Sequence, residues 1–67
     1  MTEKEIVQQA AARYAQMMTR GMCCHAAAAS GVSAVYQLAK DAGYTLDETQ
    51  LIAGRFLQTI REMWEDK

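Results

Sequence analysis

The sequence predicts an all-α fold, a small three-helix bundle, on three observations. Pro is absent and Gly scarce among the 67 residues, while Ala, Gln, Glu, Lys, Arg and Met are plentiful; such a composition favours helix. Two capping-box signatures, Thr2-Glu3-Lys4-Glu5 and Thr45-Leu46-Asp47-Glu48, mark helix starts. Apolar residues recur at helical spacing, with no competing strand pattern, internal repeat or low-complexity tract.

The first helix is predicted over residues 2–21. The Thr2 hydroxyl accepts from the Glu5 amide, and the Glu5 carboxylate reaches back. Ile6, Val7, Ala10, Ala11, Tyr14, Met17 and Met18 make its apolar side, and Glu3, Lys4, Gln8, Gln9, Arg13, Gln16 and Arg20 the polar one. Arg20-Gly21 suits its end, because Gly turns left-handed without penalty.

The second helix is predicted over 22–43, through Ala26 to Ala29, Val32, Val35, Tyr36, Leu38, Ala39 and Ala42. Ser30-Gly31 interrupts it, and a mid-helix Gly costs about 1 kcal/mol relative to Ala. Either Ser30 caps a helix that begins at Gly31, or one continuous helix tolerates the glycine. The small residues Ala27, Gly31 and Ala34 favour the second reading, since they let another helix approach closely. Asp41-Ala42-Gly43 is the stop.

The third helix, over 45–65, carries Asp47 and Glu48 in its first turn, where the helix dipole favours acids. Its apolar face is Ile52, Ala53, Phe56, Leu57, Ile60, Met63 and Trp64, opposed by Gln50, Arg55, Gln58, Arg61 and Glu62.

This length allows one domain, 1–67, which buries only about 60% of its unfolded surface. Domains this small are commonly reinforced by disulfides, a metal or oligomerisation. Seven Lys plus Arg against eight Asp plus Glu leave a net charge of −1, so no field is concentrated for nucleic acid. The acidic, polar Met1 to Glu5 is unlike a secretory signal. The stretch Gly21 to Tyr36 is too short and alanine-rich to span a bilayer. The expectation is a cytoplasmic chain with Cys23 and Cys24 as thiols.

Met17-Met18-Thr19-Arg20-Gly21-Met22-Cys23-Cys24-His25 gathers soft-metal donors. Successive helical residues lie about 100° apart, so Cys23, Cys24 and His25 are expected to diverge, and a fourth ligand is lacking. The same divergence argues against a Cys–His nucleophile, so no enzyme activity and no cofactor are expected; Cys23, Cys24 and His25 remain weak metal candidates.

Gln37 to Thr45 reads like the first half of a helix-turn-helix, with Ile52 placed to pack inward. Lys40, Thr45, Gln50, Arg55 and Arg61 are the DNA-contact candidates of that alternative. Asp47 and Glu48 at the start of the recognition helix would repel phosphates, and Thr49 falls where a core hydrophobe is usual. The alanine-glycine-aromatic turn at Ala42-Gly43-Tyr44 before acidic residues also resembles the end of the leader domain of nitrogen-fixation-type leader peptides. That likeness spans about a quarter of the chain.

Helix 1 carries two adjacent apolar rows, through Ile6-Ala10-Met17 and Val7-Ala11-Met18, and helix 3 a wide face ending in Met63-Trp64. Apolar surface beyond one buried stripe per helix, rich in Met and aromatic residues, is what an interface requires. The expected function is therefore a protein–protein interaction module, an adaptor, regulator or inhibitor, that also pairs as a homodimer. Its contacts are expected at Met17, Met18, Met22, Tyr36, Phe56, Met63 and Trp64. Nucleic acid and membrane are not expected partners.

Overall fold

A computed structural model describes residues 1–65, with side chains to residue 63; the Trp64 contact expected from the sequence lies outside the described side chains. Among the described residues the chain forms α1 (Glu3–Thr19), α2 (Cys24–Asp41) and α3 (Leu46–Glu65), with no strand. None of these helices is long and apolar enough to cross a membrane.

The two connections are built alike. After α1, the Met22 amide donates to the Met17 carbonyl and the Gly21 amide to that of Met18, with Gly21 at φ +91. After α2, Tyr44 donates to Ala39 and Gly43 to Lys40, with Gly43 at φ +86. Both are Schellman motifs, in which a left-handed glycine lets two amides close the orphan carbonyls of the last turn. The first motif uses up Gly21 and Met22 and leaves Cys23 extended as the N-cap of α2. That is why α2 begins at Cys24 rather than at 22.

Both capping boxes form. The Glu5 amide donates to Thr2 Oγ1 at 3.2 Å and the Thr2 amide to Glu5 Oε1 at 3.0 Å. At α3 the Glu48 amide donates to Thr45 Oγ1 at 3.2 Å and the Thr45 amide to Glu48 Oε1 at 2.9 Å. In contrast, the α2 N-cap makes no side-chain hydrogen bond.

Helix α2 runs unbroken through Ser30 and Gly31, and Ser30 caps nothing: its hydroxyl accepts from Arg13 Nε at 3.0 Å. The buried strip of α2 is Ala27, Gly31, Val35 and Ala39, with Ala34 only half-buried. Gly31 is the seat of the Phe56 ring. A Cβ added there would lie 2.2 Å from Phe56 Cζ, so the glycine is tolerated because α3 needs its space. Phe56 also meets Tyr14 edge-on, centroids 6.5 Å apart.

Ile6, Ile52, Val35 and Phe56 are the largest fully buried side chains of a core drawn from all three helices. This corrects the expectation that Phe56 faces a partner: it is 0% exposed. Thr49, at a position where an apolar residue is usual, is buried, and its hydroxyl donates to the Thr45 carbonyl at 2.7 Å. Among the described residues no buried side-chain polar atom lacks a partner. Two long-range links tie the start of the chain to the rest: the Tyr44 hydroxyl donates to the Met1 carbonyl, and Arg55 pairs with Glu3.

Candidate functional site

With the core complete, the remaining apolar side chains define the candidate surface. Met17 and Met18 are half-buried and pack against the core with Val7 and Ala11. The second apolar row of α1 is therefore partly covered within the chain, and both methionines expose only part of their side chains. Met22, Tyr36 and Met63 are exposed. They lie apart in the chain, on the first connection, on α2 and near the end of α3.

The surplus instead concentrates on α3. Leu51 is 66% exposed, Leu46 65% and Leu57 42%. Leu57 was expected on the core side, and Leu51 lies within the polar arc. At about 100° per residue, Leu51 and Leu57 flank Gly54 on the side of α3 turned away from Ile52, Phe56 and Ile60. Gly54 is itself exposed, with nothing within 4 Å of a Cβ built there. An exposed glycine inside a long helix gives up about 1 kcal/mol relative to Ala, and no neighbour among the described residues requires it. The helical position of Leu51 was available from the sequence alone; the apolar periodicity, which singled out the core face, drew attention away from it.

Beside this face, between the first turns of α2 and the second half of α3, lies an open groove of about 390 Å³ lined by Tyr14, Cys24, His25, Ala28, Leu57, Ile60 and Arg61. Cys24 Sγ and His25 Nδ1 approach to 3.6 Å. This corrects the expected divergence of these neighbours: the flexible ends of both side chains bend together in the first turn of α2. Cys23, outside the helix, is exposed on the surface. Among the described residues no group of three or more His, Cys, Asp or Glu side chains is placed to hold a metal ion, so Cys24 and His25 stand as a pair of donors.

The DNA-contact candidates are not brought together. The Thr45 hydroxyl accepts from the Glu48 amide, and the Arg55 guanidinium is engaged by Glu3. Arg61 lies sixteen residues along α3 from Thr45, about 24 Å at the helical rise. Lys40 and Gln50 are exposed, but the first turn of α3 adds Asp47 and Glu48. Capping hydrogen bonds favour the charged form of the Glu5 and Glu48 carboxylates. The Thr45 amide, then the Thr45 hydroxyl, lower the Glu48 pKa below its ordinary value, and Thr2 does the same for Glu5.

No family model matches this sequence, and neither a curated protein nor a solved structure matches it.

Proposed function

We propose that this chain is a small, non-enzymatic helical interaction module, an adaptor, regulator or inhibitor, that offers the outward side of α3 and the adjoining groove to another protein chain. The observation that supports it is the pairing of a finished core with leftover leucine. Phe56, Ile6, Ile52 and Val35 are fully enclosed, while Leu51 and Leu57 stay exposed on one side of one helix. Large apolar side chains grouped around a small residue on a regular helix face suit a helix-on-helix contact. The groove lets a partner's side chain reach past Leu57 towards Ala28 and Ile60. The DNA-binding alternative loses ground, because Arg55 is already paired and acids open α3. The contact set proposed from the structure is Leu51 and Leu57; Met63, about 180° from Gly54 on the side of Phe56, falls outside it with Met22 and Tyr36.

Affinity capture from the native host tests the reading. Immobilised native chain is expected to retain a defined set of proteins, or further copies of itself. The double variant Leu51→Glu/Leu57→Glu, with helical circular dichroism unchanged, is expected to retain neither. Undiminished retention by the folded double variant would refute the assignment of this face.

A further inference from the structure

We infer that the outward side of α3 docks a second copy of this chain, antiparallel, with a twofold axis at Gly54. The inference rests on the interaction reading above and adds the identity and direction of the partner. Taken outward from Gly54, the exposed residues of this side form a near-palindrome: Leu51 and Leu57 three positions away, Gln50 and Gln58 four, Asp47 and Arg61 seven. A spacing of three, four and seven keeps all of them on one helical stripe.

In an antiparallel pair centred on Gly54, each residue faces its palindromic mate on the other copy. Leu51 meets the partner's Leu57, Gln50 meets the partner's Gln58, and Asp47 meets the partner's Arg61. By symmetry every contact occurs twice, as an isologous interface requires. The charges choose the direction, because a parallel pair in register would set Asp47 against Asp47 and Arg61 against Arg61. Gly54 then gains the purpose it lacks in the monomer. With no Cβ at the crossing point, the two backbones approach at the near end of the roughly 8–10 Å range of packed helices. The strip is smaller than the roughly 20–30 residues a side of a standard interface, so dissociation in the micromolar range is expected.

Sedimentation equilibrium of the purified full chain at low salt tests this. The native chain is expected to dimerise. Asp47→Arg or Arg61→Asp alone is expected to weaken the dimer on the order of tenfold, and the two together to restore it. Gly54→Gln is expected to raise the melting temperature of the dilute chain, since Gln favours helix, while abolishing the dimer. Three results overturn the proposal: a chain still monomeric at several hundred micromolar, a dimer indifferent to Gly54→Gln, or charge variants not restored in combination. If the chain is monomeric yet captures other proteins through Leu51 and Leu57, self-pairing falls and the interaction surface stands.

Discussion

Two glycines in helix interiors separate space that is used from space that is empty. Gly31 accepts the Phe56 ring, whose nearest atom would lie 2.2 Å from an added Cβ. Because Phe56 is fully buried, the ring has nowhere to go, and Gly31→Ala is expected to cost about 1–3 kcal/mol through overpacking despite Ala's better helix propensity. A Cβ at Gly54 would meet nothing within 4 Å among the described residues, and Gly54→Ala is expected to gain up to about 1 kcal/mol. Urea unfolding of the two dilute variants, compared at unchanged slope, checks the opposed signs. That Gly31 needed a close neighbour was legible in the sequence from Ala27 and Ala34 beside it. Which residue filled the space was not. Periodicity assigns Phe56 to a side of α3 but says nothing about depth, and only the tertiary contact with Gly31 puts the ring inside. The meeting of Cys24 and His25 was missed for a related reason: the angle between neighbouring Cα–Cβ bonds does not limit where a rotatable thiol and an imidazole end.

The ends of the helices were the most legible feature, because caps are short-range chemistry written in consecutive residues. Thr2 with Glu5, Thr45 with Glu48, Gly21 and Gly43 all do what their spacing implies. The start of α2 was less legible, since Cys23 has no acceptor that closes a capping bond. The boxes carry a pH signature. The backbone amides of Thr2 and Thr45 lower the pKa values of Glu5 and Glu48 below 4.5 in the folded chain. A depressed folded-state pKa contributes stability that is present above the unfolded value and lost as pH falls through the folded one. Glu5→Ala/Glu48→Ala is thus expected to be less stable than the native chain at pH 7, with the gap closing as pH drops below 4.5. Thermal unfolding across that range checks it. A gap that persists at low pH would show that the carboxylate charge is not what the boxes use.

At the scale of the molecule, the three-helix bundle followed from composition, caps and period, and its surface followed only in part. The expected excess of apolar surface on α1 is reduced, because Met17, Met18, Val7 and Ala11 pack partly buried against the core. On α3 exposed apolar surface is present at Leu51 and Leu57, which were not among the expected contacts, while Phe56, which was, is buried. Counting apolar rows cannot show which of them a third helix covers; that depends on crossing geometry, which no local pattern encodes. The proposed surface requires that the outward leucines of α3 contribute little to holding the monomer together. Urea unfolding of the dilute double variant Leu51→Gln/Leu57→Gln tests it most directly. The expected result is a stability within about 1 kcal/mol of the native chain, as for exposed positions. A loss of about 3 kcal/mol or more, the scale of truncating a buried Leu or Phe, would mean that these leucines belong to the core and that the proposed surface does not exist.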